Sequence, residues 1–200
     1  MRRLITAALT IAALASTTAA RAGLVPVAVS ITPDAGMYRY TYAIVLPTDA
    51  VLRPGDYFTI YNFDGFVPGS NMASGSPYSA NWSFSTALIG PTPNGTLPQD
   101  DPGILNLSWK YSGPEINVDA SVGLGNFWAL SIYPDTTQSW FTASTGSVSG
   151  RTDSNITPTT VPVPTAPPPG VPEPGTLLLA GLGLPVAAML RRLRLKSAKC

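Results

Sequence analysis

Between residues 23 and 156 apolar and polar side chains alternate in short runs, and this period of two predicts β-strands rather than helices. The clearest run sets Tyr38, Tyr40, Tyr42, Ile44 and Leu46 against Arg39, Thr41, Ala43 and Val45. A second sets Val25, Val27, Val29 and Ile31 against Pro26, Ala28, Ser30 and Thr32, and a third sets Leu105, Leu107, Trp109 and Tyr111 against Asn106, Ser108 and Lys110. Residues 57–63 are apolar on both faces. Trp82 and Phe84 mark a further strand, Val122 and Leu124 a short one, and Trp128, Leu130 and Ile132 another; Trp140, Phe141 and Thr142 open the last. Turn dipeptides fall between the runs: Pro54-Gly55, Pro68-Gly69, Asn94-Gly95, Pro102-Gly103 and Gly113-Pro114. Seven or eight short strands with frequent turns predict an all-β fold, an antiparallel β-sandwich of immunoglobulin-like or jelly-roll outline.

The pattern changes at both ends. Met1, Arg2 and Arg3 precede an apolar run from residue 4 to 15, and Ala20-Arg21-Ala22 follows as a small-residue cleavage site. Residues 1–22 therefore read as a secretory signal peptide cut after Ala22. From residue 157 to 170 six of the 14 residues are proline, which predicts a polyproline stalk of about 40 Å, at about 3.1 Å per residue. The domain expected between these segments spans residues 23–156.

Residues 171–200 have a third character. Val171-Pro172-Glu173-Pro174 is followed by 16 uncharged residues, 175–190, and then by Arg191, Arg192, Arg194, Lys196 and Lys199. As a transmembrane helix the uncharged run is about 24 Å long, short of the roughly 30 Å hydrocarbon core. Arginine stems around Leu193 and Leu195 can snorkel to the headgroups and make up the difference. Positive charge on the far side places that end in the cytoplasm and the domain outside.

This layout resembles the PEP-CTERM tail of exported bacterial proteins, which the membrane protease exosortase recognises and removes; the resemblance covers residue 171 to about 196. Tails of this kind also go by the name ice-binding protein C-terminal domain, although the chain has no ladder of T-x-T repeats. The resemblance implies export through the inner membrane, a transient anchor, and a final place on the cell surface or outside the cell. It names signal peptidase and exosortase as processing partners and, by analogy, a role beside extracellular polysaccharide in the matrix of a biofilm.

Charge sharpens the picture. The whole chain is nearly neutral at +1. Residues 23–170 hold only Arg39, Arg53, Lys110 and Arg151 against Asp34, Asp49, Asp56, Asp64, Asp100, Asp101, Glu115, Asp119, Asp135 and Asp153, a net −6. Such a surface repels nucleic acid, so no nucleic-acid partner is expected. The single cysteine, Cys200, lies in the tail, so packing or bound cations must hold the domain together without disulfides.

The chain contains no histidine, which removes Ser-His-Asp and Cys-His catalysis and His-ligated zinc in one step. A Ser-Lys pair would need Lys110, which alternates outward. A carboxylate pair among Asp56, Asp64, Asp100 and Asp101 is the remaining catalytic option, set against the ordinary use of Asp in turns. Asn62, Asp64, Asp100 and Asp101 are hard oxygen donors suited to calcium, but they complete no calcium-loop pattern, so metal binding stays open. The expectation is a surface or matrix protein that is not an enzyme and has no cofactor. A carbohydrate-binding module would show an exposed aromatic row, and a carboxylate hydrolase two facing buried acids.

Overall fold

The computed structural model describes residues 23–165. Its first alternating runs become strands β1 (Val25–Asp34) and β2 (Met37–Leu46), joined at Ala35-Gly36, both with positive φ (50° and 84°). Two consecutive positive φ values give the hairpin turn whose twist matches that of the flanking strands. On β2 the alternation is obeyed throughout: Tyr40, Tyr42, Ile44 and Leu46 are buried, and the residues between them are partly exposed. Strand β9 (Val122–Ser131) pairs with the free edge of β2, and β5 (Met72–Ser74) with β9, giving a sheet in the order β1-β2-β9-β5.

The larger sheet is built on β10 (Thr136–Ser147). Along one edge it pairs with β11 (Thr152–Pro162), from Thr136↔Pro162 to Gly146↔Thr152. Along the other lie β4 (Tyr57–Ile60) and β3 (Ala50–Leu52), end to end. Beyond them come β7 (Asn106–Tyr111), paired with β4, and β8 (Ile116–Asn117), paired with β3. Strand β6 (Trp82–Ala87) closes the sheet beside β7. Every pairing is antiparallel, and among the described residues the only helical element is a single 3₁₀ turn, Pro77–Ala80. The described residues are all-β, as the alternation predicts.

One core lies between the two sheets, centred on Phe58. Its ring stacks on Trp109 at 5.2 Å and on Phe141 at 5.4 Å within its own sheet, and meets Phe127 of β9 edge-on at 5.0 Å. Aromatic pairs in these orientations add about 0.5–1.5 kcal/mol each beyond the area they bury. Buried tyrosines bring a polar end into this core, and each finds a carbonyl. Tyr40 donates to Tyr133 O at 3.0 Å, Tyr42 to Thr160 O at 2.9 Å, and Tyr111 to Pro114 O at 2.8 Å. Burial pushes the Tyr40 hydroxyl up to about 12, helped by the Asp135 carboxylate, and Tyr42 well above its ordinary value.

Several sequence expectations need correction. Residues 122–131 form one strand, not two, because a bulge opposite Ile44 and Val45 accommodates Leu124 and changes the period. Gly125 makes the bulge possible, with φ at +119° and a Cβ that would stand 2.6 Å from Ser74 O. Past the bulge Phe127, Ala129 and Ser131 point inward, while Trp128 and Leu130 face outward. Ile132 lies beyond the strand and is exposed.

The apolar face of β1 is interrupted in the same way, by an irregularity between Pro26 and Ala28 that leaves Val27 exposed. Trp140 does not open the last strand, because β10 begins at Thr136 and β11 follows. The largest correction is β11 itself. Residues 157–162, expected in the polyproline stalk, are strand, and Val161 is fully buried. Pro158 and Pro162 are tolerated because β11 pairs on one side only, and residues four apart turn the same side toward the unpaired edge.

Candidate functional site

The chain between β6 and β7, residues 88–105, folds back over the outer face of the larger sheet as a strap. Gly90 sits so close to that face that a Cβ would stand 2.9 Å from the Tyr61 ring and 3.1 Å from Thr59. Tyr61 donates its hydroxyl to Pro91 O at 2.9 Å and lies 3.1 Å from the Thr92 hydroxyl. This cover explains why Thr59, Tyr61, Asn106, Ser108 and Thr142 are buried on a face that alternation would leave to water. It also explains why residues 57–63 read as apolar on both sides, the one signal in the sequence that asked for a cover.

A polar knot pins both ends of the strap. The Asn62 main-chain N–H donates to Asn106 Oδ1 at 2.8 Å. Asn106 Nδ2 donates to Leu88 O at 3.2 Å and Asp100 Oδ1 at 2.8 Å, and Asp100 Oδ2 accepts the Gly90 N–H at 3.1 Å. Asn62 Nδ2 donates to Gln99 O at 3.0 Å, while its Oδ1 accepts the Asp101 N–H at 2.8 Å. Asn62 holds this position at φ +57°, a conformation that asparagine adopts more readily than most residues.

Of the four oxygen donors suited to calcium, Asn62 and Asp100 thus converge, but their oxygens already accept N–H donors. Asp101 and Asp64 serve local turns, accepting the N–H of Gly103 at 2.8 Å and of Gly65 at 2.7 Å. Among the described residues no three Asp, Glu, His or Cys side chains gather to hold a metal ion.

Asp56 is the most constrained carboxylate. Its Oδ2 accepts the main-chain N–H of Arg53 at 2.7 Å and of Gly146 at 3.1 Å, tying the turn between β3 and β4 to β10. Burial raises its pKa, against the lowering pull of those two N–H groups and of the Arg53 guanidinium. Arg53 turns its Nε to Glu115 Oε2 at 3.0 Å. The arrangement is a latch between strands.

Clefts open on the surface of the described residues. One of 210 Å³ lies between the strap and the larger sheet, lined by Tyr57, Thr92, Asn94, Ser144, Thr152 and Ser154. One of 370 Å³ lies beside the 3₁₀ turn and includes Tyr78, Asn81, Glu115 and Asn117. One of 360 Å³ separates β1 from β11, with Val27, Val29, Pro158 and Thr159 among its walls. On the outer face of the smaller sheet the Arg39 guanidinium lies 4.2 Å above the Trp128 ring and pairs with Asp34. Trp128 is a single ring there, capped by a cation, rather than a row.

The residues of the processing signals lie outside the described region: Ala20 and Ala22 at the expected cleavage site, Val171, Pro172, Glu173 and Pro174, and Arg191, Arg192, Arg194 and Lys196. So does the helix expected over residues 175–190. Among the described residues no helix is long and apolar enough to cross a membrane. The PEP-CTERM protein-sorting motif matches residues 170–194, taking in the whole Val-Pro-Glu-Pro run and the three arginines of the cluster. No curated protein matches the chain at significant similarity. The chain therefore carries a PEP-CTERM sorting signal, the mark of an exported protein handled by exosortase.

Proposed function

We propose that this protein is a non-catalytic component of the cell surface or extracellular matrix, made as a precursor with a β-sandwich ectodomain. Exosortase reads Pro172-Glu173-Pro174 and removes the tail that follows. The sorting motif at residues 170–194 carries this reading. Support comes from the opposite end, where residues 1–22 have the charge, length and small-residue site of a signal peptide. The ectodomain's carboxylates support a body without chemistry of its own, since Asp56, Asp64, Asp100 and Asp101 each accept main-chain N–H or side-chain amide donors.

Glu173 is the residue on which recognition turns. It is the only charged residue between Asp153 and Arg191. The flanking prolines fix their φ near −65° and hold the segment extended, as a protease groove requires. Glu173→Gln keeps the shape and removes the charge. Immunoblots of membrane and medium fractions should show the variant precursor uncut in the inner membrane, with wild type shortened and released. A control on the sandwich surface, Met72→Ala, should be processed as wild type. Normal shortening and release of the Glu173→Gln protein would show that the motif is not what the enzyme reads.

A further inference from the structure

The outer face of the larger sheet carries a polar row that the sorting function does not use. Ser83, Lys110, Tyr57, Ser144 and Ser154 are successive cross-strand partners on β6, β7, β4, β10 and β11. Side chains paired in this way share one face of a sheet. At about 4.8 Å per strand the row is about 19 Å long. At its β4-β10-β11 end the strap residues Thr92 and Asn94 rise beside it, and Thr152 completes the cleft of 210 Å³.

The lining differs from the buried tyrosines and from the polar knot beneath the strap. The buried tyrosines give their hydroxyls to carbonyls, and the Asn62 and Asn106 amides are spent on the strap. The Tyr57 hydroxyl, the Asn94 amide and the hydroxyls of Ser144, Thr152 and Ser154 make no hydrogen bond within the described protein, yet all converge on this one cleft.

We propose that the cleft binds one unit of a neutral glycan whose chain continues along the row. Serine, threonine and tyrosine hydroxyls and an asparagine amide both donate and accept, which is what a sugar hydroxyl requires of its partner. No charged side chain lines the cleft, so nothing inside it would compensate a carboxylate or phosphate on the bound unit, and Lys110 further along the row offers a single cation to the neighbouring unit. Acidic polymers are disfavoured further by the net −6 carried by residues 23–170. The half-buried Tyr57 ring supplies the apolar surface on which the C–H face of a sugar can rest. At 210 Å³ the cleft falls below the range of about 300–1,000 Å³ for drug-sized ligands, so it takes a single ring and leaves the neighbouring units on the open row.

The proposal does not rest on the sorting reading, and it is tested without exosortase. Full-length protein in lauryldimethylamine oxide, a detergent without a sugar headgroup, is titrated calorimetrically with neutral hexasaccharides of glucose, mannose, galactose and N-acetylglucosamine. Hexagalacturonate serves as the acidic probe. At least one neutral hexasaccharide should bind saturably. Ser144→Val combined with Ser154→Val should weaken it about tenfold, and Asn94→Ala about three- to fivefold, the size expected for losing two hydrogen bonds and one.

Trp128→Ala, on the other sheet, should bind as wild type. Melting curves check that each variant folds, and Asn94→Ala with Tyr57→Phe decides the matter if the double valine variant does not. The proposal is overturned if no neutral hexasaccharide saturates, if only hexagalacturonate binds, or if the cleft variants bind as wild type does.

Discussion

Asp56 shows what a single partly buried carboxylate does to this fold. Burial raises its folded pKa above the value in the unfolded chain, so the folded state holds the proton more tightly. Its contribution to stability is therefore greatest while the carboxyl is protonated, below the unfolded value of about 4, and falls as pH rises through the folded pKa. Asp56→Asn keeps an oxygen for the Arg53 and Gly146 N–H groups and removes the titration. The melting temperature of the variant minus that of wild type should be larger at pH 7 than at pH 4. A difference that does not change with pH would mean the latch carries no desolvation cost. Trp109 is the opposite kind of residue, apolar and 1% exposed, with Phe58, Phe84 and Phe127 around it. Trp109→Ala should cost about 3–5 kcal/mol in denaturant unfolding, while Lys110→Ala next to it should stay within about 0.5 kcal/mol. Equal effects would mean that the faces of β7 have been exchanged.

At the scale of elements, legibility followed from how many faces of a strand meet the core. β2 was legible because one face is buried and the other is not. β9 was half legible: the bulge at Leu124 and Gly125 breaks the period, which therefore reads as two strands and names Trp128 and Leu130 where Phe127 and Ala129 face inward. β3, β5 and β8 have three, three and two residues, too few for any period to register. The strap was invisible because its job depends on a face 30 to 50 residues away in sequence, and only the double-sided apolarity of residues 57–63 hinted at it. β11 was misread because proline density signals a stalk, whereas an edge strand with prolines on its unpaired side satisfies the same composition. This last error has a direct consequence. A fragment of residues 23–156 loses half of β11, the buried Val161 and the carbonyl that accepts the Tyr42 hydroxyl. A fragment of residues 23–164 should melt cooperatively with a β-type circular dichroism spectrum, and the shorter one should not. Equal melting of the two would show that the second half of β11 adds nothing to the fold.

At the scale of the whole molecule, the chain separates what it is from where it goes. The folded domain is specified by packing that no short motif announces. The sorting motif, by contrast, is a short local pattern, and it was legible in the sequence at Val171-Pro172-Glu173-Pro174. The compact unit ends at Pro164, so residues 165–169 lie between it and the matched sorting motif, in place of the expected linker 157–170. Within the tail, motif and basic cluster should fail differently. On the proposed reading Glu173 serves cutting, whereas Arg191, Arg192 and Arg194 serve to hold the tail against the cytoplasmic leaflet, each worth about 1 kcal/mol near an anionic surface. Replacing all three with Gln removes about 3 kcal/mol from the retention of an uncharged run already short for a span. The triple variant should therefore release uncut protein, with only the signal peptide missing by intact mass, into the soluble fraction. Glu173→Gln should leave the same mass in the membrane instead. If the triple variant is shortened and released as wild type is, the arginines do not time the tail for its enzyme, and the 16 uncharged residues hold it in place by themselves.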